Sequence, residues 1–176
     1  MIRPHPFIAA LGVALALHQS PAVVASDGDS DLIGKRAPDL AEGEWLNTPP
    51  LTLERLRGNV ILLEFWTFGC SNCLHTLPSM KAWHQAYKDK RLVVLGVHTP
   101  EFDLEKDSGR LHRKVTELGI TYPVVADNAS RTWSRYHQRY WPAMYLIDKR
   151  GVVRFCHIGE GNDALIEREL RLLLAE

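Results

Sequence analysis

The chain has 176 residues, of which 45% are apolar and 24% charged, as in a soluble globular protein. This length suits one domain with a full hydrophobic core and is short for two. Because 21 Lys and Arg residues balance 21 Asp and Glu residues, the chain lacks the basic field that holds nucleic acid, and we predict no nucleic-acid partner.

The first residues have the layout of a secretory signal peptide. Arg3 precedes an apolar segment over residues 7–17, and the small residue Ala25 suits cleavage after it. We therefore predict a signal peptide over residues 1–25 and a polar linker over residues 26–33. The alternative is a retained membrane anchor, but an apolar run of 11 residues is shorter than the ~20 that a bilayer core requires. We expect no stable membrane insertion once the signal is removed.

The remaining residues, 34–176, alternate predicted strands and helices. Apolar runs predict buried strands at residues 59–66, 91–98, 121–127, 143–148 and 152–158, and helical spacing predicts helices at residues 73–88, 104–118, 128–136 and 162–175. A turn at residues 149–151 joins the last two strands into a hairpin. This order predicts one α/β domain with a central mixed β-sheet and helices on both faces.

Two thiols only two residues apart, Cys70 and Cys73, follow the first buried strand. Closing so short a loop removes little unfolded-state entropy, so stability is a poor reason for pairing them. The helix that begins near Cys70 places this sulfur at a helix N-terminus, where free backbone N–H groups and the helix dipole favour a thiolate. Cys70 is therefore the predicted nucleophile, and Cys73, one turn further along, is the predicted resolving thiol.

Two other kinds of site compete with a redox dithiol. A structural zinc site needs four ligands, and only Cys156 and a histidine remain to complete one. A thiol peroxidase is the second alternative, because Thr67 stands three residues before Cys70, but Leu63 occupies the place that a peroxiredoxin motif gives to proline. We predict a redox site with no metal and no cofactor.

Five segments together resemble exported thioredoxin-fold proteins of the TlpA type, and more narrowly the thioredoxin-like domain of DipZ-like proteins. They read FWTFGCSNCLHTLP, GVHTPEF, LGITYPVVAD, RYWPAMYLID and HIGEG. The resemblance implies a thioredoxin fold with an N-terminal extension and an inserted helix. It also implies a periplasmic thiol-disulfide oxidoreductase that reduces protein disulfides and receives electrons from a membrane donor of the DsbD type. The alternatives are a thiol peroxidase and a redox-inactive binding module.

The same resemblance assigns further site residues. Glu64 falls where thioredoxins keep a buried acid beneath the dithiol, and is expected to accept the proton of Cys73; otherwise it turns to solvent or pairs with an Arg. The bond between Trp141 and Pro142 is expected to be cis and to face the dithiol, leaving the Trp141 backbone free to pair with an extended substrate. Trp66 and Trp141 are expected either to form an apolar wall around the thiols or to be core residues.

Overall fold

The computed structural model describes residues 30–176. The predicted signal peptide and the first part of the predicted linker lie outside the described residues. Leu32 is already buried, so packing begins slightly before residue 34, where we predict the domain to start.

One mixed sheet forms the centre of the described part of the chain. Within residues 30–176 its six strands are β1 (Trp45–Leu46), β2 (Val60–Trp66), β3 (Leu92–His98), β4 (Val124–Ala126), β5 (Ala143–Ile147) and β6 (Val153–Ile158), in the spatial order β1-β4-β3-β2-β5-β6. Strands β2, β3 and β4 are parallel, whereas β1, β5 and β6 run antiparallel to their neighbours. The predicted mixed sheet is confirmed.

Helices cover both faces of this sheet, as predicted. Across residues 30–176 the four α-helices are α1 (Ser71–Tyr87), α2 (Ser108–Glu117), α3 (Arg131–Arg135) and α4 (Asp163–Ala175), and short 3₁₀ turns lie at Lys88–Lys90 and Asp103–Lys106. The buried side chains of α1, α2 and α4 belong to one apolar cluster. On the opposite face a second cluster contains the partly buried Trp133 of α3 and four apolar residues of the N-terminal extension, Leu32, Ala37, Leu53 and Leu56. No helix in this part of the chain is both long and apolar enough to cross a membrane.

The alternation of side chains along β2 positions the functional residues. Leu62 and Trp66 point into the cluster that α1 covers, while Leu63 and Phe65 point into the other one. Glu64 shares the first orientation, because successive side chains of a strand face opposite ways. It pairs in register with Gly96 of β3 and Met144 of β5, so this carboxyl group lies in the middle of the sheet beneath α1.

The prediction of one continuous helix over residues 104–118 is wrong. A 3₁₀ turn ends at Lys106, and α2 begins at Ser108 after the N-cap residue Asp107. The Asp107 carboxylate accepts the backbone N–H of Arg110 at 2.6 Å, which satisfies one of the free donors at a helix N-terminus. Leu104, placed by its spacing on the apolar side of the predicted helix, is 54% exposed.

Candidate active site

Cys70 lies at the end of the sheet where β2 leads into α1. It is the N-cap residue of α1, with an extended backbone conformation, and its Sγ accepts the backbone N–H of Cys73 at 3.2 Å. Cys70 is partly exposed, whereas Cys73 is fully buried. The two cysteines are free thiols, with the first accessible to a substrate and the second shielded behind it.

The Cys73 thiol is held in its protonated form. Its pKa is raised, first because burial penalises the thiolate, and further because the Cys70 sulfur and the Glu64 carboxyl lie nearby. A thiol of this kind attacks a disulfide only after a nearby base has removed its proton. The structure therefore separates the two cysteines by environment, in agreement with the roles predicted from their positions.

Glu64 is fully buried under the first turns of α1, rather than turned to solvent or paired with an arginine. Burial raises the pKa of this carboxyl group to about 8, and a hydrogen bond from Thr76 opposes the rise. The Thr76 Oγ1 lies 2.5 Å from Glu64 Oε1 and 2.8 Å from the carbonyl oxygen of Cys73. Since a hydroxyl has one hydrogen, Thr76 donates to Glu64 or to the Cys73 carbonyl oxygen, one at a time. Thr76 thus connects the carboxyl group to the peptide of Cys73.

The peptide bond between Trp141 and Pro142 is cis. Pro142 immediately precedes β5, whose first residue, Ala143, pairs with Phe65 near the end of β2. The proline therefore lies at the end of the sheet that carries Cys70. The Trp141 indole N–H donates to the carbonyl oxygen of Thr99 at 3.1 Å, and its ring stacks on Trp133 with centroids 4.1 Å apart.

Trp66 and Trp141 have different environments. Trp141 is partly buried and, together with Phe68 and Cys70, packs against the edge of the apolar cluster below α1. Trp66 is fully buried in that cluster, and a Cβ atom at Gly96 would lie 2.8 Å from its Nε1. Trp66 thus takes the second of its two predicted roles, that of a core residue, and does not line the surface beside the thiols.

Glu105 is a residue near the site that the sequence does not single out. It is 1% exposed, and its Oε2 accepts the backbone N–H groups of Glu101 and Phe102 at 2.7 and 3.2 Å. Its other oxygen would lie 1.9 Å from a Cβ at Gly69, so any side chain at this position beside Cys70 would displace the Glu105 carboxylate. The surrounding charged segment is typical of a solvated helix, and it gives no signal that one carboxylate folds inward.

Two further residues near the site, Thr76 and His98, have roles that the structure defines. Thr76 follows Cys73 by three residues, a helical spacing, but only the fold places Glu64 opposite it. His98 is fully buried, lies with Nε2 3.2 Å from Thr67 Oγ1, and stacks on Phe68 with centroids 5.2 Å apart. Burial lowers its pKa to about 4, so His98 is neutral at pH 7 and supports the turn before Cys70 through packing.

Cys156 lies apart from the dithiol. It is fully buried in the apolar cluster on the opposite face of the sheet from α1. Burial raises the pKa of its thiol to about 11, so it is protonated at neutral pH. Among residues 30–176, no three or more His, Cys, Asp and Glu side chains are grouped so that they could hold a metal ion.

Comparison with known sequences gives the same relationships as the motifs. Residues 33–156 match the AhpC/TSA family. The chain is 47% identical over 154 residues to protein DipZ of Mycobacterium tuberculosis, an alignment that covers 85% of this chain and 22% of DipZ. It is 30% identical over 136 residues to the thiol-disulfide oxidoreductase YkuV of Bacillus subtilis, with 77% of this chain and 90% of YkuV covered. The chain thus spans about a fifth of DipZ but most of YkuV.

Solved structures share the fold. A thiol-disulfide isomerase from Corynebacterium glutamicum superposes with a TM-score of 0.71 at 28% identity, covering 80% of this chain and 97% of that one. The thioredoxin-like superfamily protein SPOA0173 gives a TM-score of 0.75 at 32% identity, with 80% and 97% covered. The predicted thioredoxin fold and the resemblance to DipZ-like proteins are confirmed. The chain belongs to the AhpC/TSA family of thioredoxin-like proteins, among relatives that include thiol-disulfide oxidoreductases.

Proposed function

We propose that the protein is a periplasmic thiol-disulfide oxidoreductase that reduces protein disulfides through Cys70 and Cys73. One observation carries the proposal. The accessible Cys70 Sγ accepts the backbone N–H of the buried Cys73 at 3.2 Å, and Cys73 lies close to the buried carboxyl group of Glu64. A nucleophile, a resolving thiol and a proton acceptor are the groups that disulfide exchange requires. The similarity to YkuV supports the same reaction class.

The first half-reaction belongs to Cys70. Its thiolate attacks one sulfur of a substrate disulfide, so that a mixed disulfide forms and the other substrate sulfur leaves as a thiolate. The first turn of α1 offers free backbone N–H groups to a negative sulfur at its N-terminus. Exposed aromatic side chains near this end of the sheet support a polypeptide substrate, since Phe102 is 58% and Tyr140 is 61% exposed.

The second half-reaction belongs to Cys73 and Glu64. Cys73 gives its proton to the Glu64 carboxylate and attacks Cys70 Sγ, which closes the Cys70–Cys73 disulfide and releases the second substrate thiolate. Two electrons pass to the substrate in each cycle. Because the pKa of Glu64 is about 8, the ionised fraction, and with it the rate of this step, rises with pH through that value.

Electron supply and location complete the proposal. Reducing power must be imported into an oxidising compartment, because disulfides are stable there. By resemblance, a membrane protein of the DsbD type would return two electrons to the Cys70–Cys73 disulfide. The backbone of Trp141, next to the cis bond, is the expected pairing site for an extended segment of either partner.

Reduction of insulin or glutathione disulfide by the purified protein tests the reaction. We expect activity in the wild type, loss of activity in Cys70→Ser, and accumulation of substrate mixed disulfides in Cys73→Ser. The matched control is Cys156→Ala, which should remain active because Cys156 lies on the other face of the sheet. Activity that survives Cys70→Ser would exclude this mechanism.

The two alternatives give different results in the same assays. A thiol peroxidase would consume hydrogen peroxide at the expense of a dithiol faster than it reduces insulin. A redox-inactive binding module would show neither activity, and its cysteine variants would behave like the wild type. We expect disulfide reduction to exceed peroxide consumption.

A further inference from the structure

The segment that follows β3 reverses the usual placement of charged and apolar side chains. Phe102 and Leu104 are 58% and 54% exposed, whereas the neighbouring Glu105 is 1% exposed. Carboxylates are rarely buried to this extent, because water solvates the charge, and large apolar side chains are more stable out of water. This inversion lies close to the nucleophile, so it calls for a physical explanation.

The Glu105 carboxylate holds this segment against the turn that carries Cys70. One oxygen, Oε2, accepts the backbone N–H groups of Glu101 and Phe102 at 2.7 and 3.2 Å, and these bonds compensate for burial of the charge. The other oxygen lies 1.9 Å from the position that a Cβ of Gly69 would take, so it contacts the residue before Cys70. A single carboxylate therefore connects the backbone of Phe102 to the turn of the nucleophile.

The two ends of the segment are fixed as well. At its start, the Thr99 backbone N–H donates to the carbonyl oxygen of Trp66 at 3.0 Å, and the Thr99 carbonyl oxygen accepts the Trp141 indole N–H at 3.1 Å. At its end, the side-chain amide of Asn128 donates to the carbonyl oxygen of Lys106 at 3.0 Å. Exposed apolar side chains on a fixed backbone are typical of a binding surface, because little conformational entropy remains to be lost on binding.

We propose that Glu105 is a positioning residue that holds Phe102 and Leu104 beside Cys70, where they bind apolar side chains that flank the disulfide of a polypeptide substrate. The contact forms as Cys70 attacks the substrate sulfur, and it changes no covalent bond. This inference rests on the proposed function and names its substrate class, which is extended polypeptide with apolar residues next to cysteine. Glu105 acts through the segment rather than on the sulfurs.

The charges around Phe102 favour a polypeptide over a membrane surface as the partner. Phe102 lies between Glu101 and Asp103, which are both exposed. The nearby Lys106 ammonium already pairs with the Asp103 carboxylate at 2.7 Å. Carboxylates next to an apolar side chain repel anionic phospholipid headgroups, whereas segments that bind membranes are typically rich in Lys and Arg. An apolar stretch of polypeptide experiences no such repulsion.

The test uses two peptides that differ only beside their cysteine. In one peptide, leucine and phenylalanine flank the cysteine, and in the other peptide, serine residues do. Each is supplied as its symmetrical disulfide dimer, so that attack on either sulfur leaves the same peptide on Cys70. Acid quenching and mass spectrometry give the rate at which the reduced protein releases the peptide thiol. The dependence of this rate on peptide concentration separates binding from the chemical step.

The first variant tests the surface itself. The double substitution Phe102→Ser, Leu104→Ser removes both apolar side chains at exposed positions. The matched control is Leu172→Ser, because Leu172 is a leucine of similar exposure, 57%, on α4. The Lys149 ammonium donates to the Leu174 carbonyl oxygen, so this part of α4 lies by the β5–β6 turn, at the other end of the sheet from the dithiol.

Two substitutions at Glu105 test its positioning role. Glu105→Ala removes both acceptors of the backbone N–H groups, whereas Glu105→Gln keeps an oxygen that can accept them. The measured quantity is the ratio of the rates for the apolar and the polar peptide at low concentration. A general loss of structure lowers both rates together and leaves this ratio unchanged.

We expect the wild type to favour the apolar peptide about tenfold, which corresponds to partial burial of two apolar side chains. The ratio should fall to near one in the double variant and in Glu105→Ala, mainly through weaker binding of the apolar peptide. It should stay at the wild-type value in Leu172→Ser and return toward that value in Glu105→Gln.

A wild-type ratio in the double variant would overturn the surface, and an equal fall in both rates in Glu105→Ala would overturn the role of Glu105. An unchanged ratio, together with loss of sedimentation on phosphatidylglycerol vesicles in the double variant, would assign the surface to a membrane and overturn the proposal. All of these outcomes leave the proposed function intact. A wild type that reduces neither peptide disulfide nor glutathione disulfide would overturn both.

Discussion

At the level of single residues, the ionisation of Glu64 links the stability of the protein to its chemistry. Burial raises the pKa of this carboxyl group to about 8, so the group is mostly neutral at pH 7. The neutral form suits the core, and the ionised form is the one that can take a proton from Cys73. In the proposed mechanism, the form of Glu64 that exchange requires is therefore the form that destabilises the folded state.

The first prediction is a fall in stability with rising pH that depends on Glu64. Below pH 4.5 the carboxyl group is protonated in both the folded and the unfolded state. Between pH 4.5 and 8 the carboxyl group is ionised only in the unfolded state. The free energy of unfolding therefore decreases by up to about 5 kcal/mol across this range and becomes constant above it. Glu64→Gln cannot ionise and should remove this decrease, as measured by urea unfolding at several pH values. The matched control Glu54→Gln, at an exposed position, should keep the wild-type slope. An unchanged slope in Glu64→Gln would show that this carboxyl group ionises normally in the folded protein.

At the level of secondary-structure elements, Asp127 connects α3 to the loop that carries the cis bond. Its carboxylate accepts the backbone N–H groups of Arg131, Thr132 and Trp133 at 2.8, 3.1 and 2.8 Å. Trp133 in turn stacks on Trp141, whose indole bonds the carbonyl oxygen of Thr99. A helix of only five residues has little stability of its own, so this capping holds Trp133 in place against the loop that carries the cis bond.

Asp127→Asn should therefore loosen α3 and the loop together. We expect the free energy of unfolding to fall by about 1–3 kcal/mol, because bonds from three backbone donors to a buried charge are lost or weakened. Exchange with a protein substrate should slow, while the reduction potential should stay unchanged, since Asp127 does not contact the thiols. Urea unfolding and insulin reduction measure the two effects, with the exposed Asp89→Asn as control. Wild-type stability in Asp127→Asn would contradict this description of α3.

Secondary structure was largely predictable from the sequence because strong local signals specify it. Apolar runs identified β2, β3, β5 and β6, and the paired cysteines marked the beginning of α1. Local signals fail where distant residues meet: no pattern near Thr76 or Gly96 reveals that Glu64 lies beside them. The break before α2 occurs because the Asp107 side chain caps a new helix at that position. Trp66 was ambiguous because an indole suits both a core and a binding surface. Contacts of these kinds follow from the fold alone.

At the level of the whole molecule, the balanced charge gives the protein no dominant field for steering partners. We therefore expect recognition to depend on the exposed aromatic residues Phe102 and Tyr140 and on the backbone of Trp141. Location depends on residues 1–25, which we expect to be removed on export. Expression of the full chain in a Gram-negative bacterium, with mass spectrometry of the periplasmic fraction, should recover a protein that begins at Ser26. A full-length protein confined to the cytoplasm would contradict export.

The reduction potential of the Cys70–Cys73 couple tests the proposed chemistry most directly. The protein would be equilibrated in dithiothreitol buffers of graded ratio, and its free thiols counted by alkylation and mass spectrometry. We expect a reversible two-electron transition with a midpoint near −270 mV, about that of thioredoxin, as befits a reductant. A midpoint near −120 mV, about that of a strong oxidant, would contradict the reductive direction. A pair that never forms a disulfide would contradict thiol-disulfide exchange altogether.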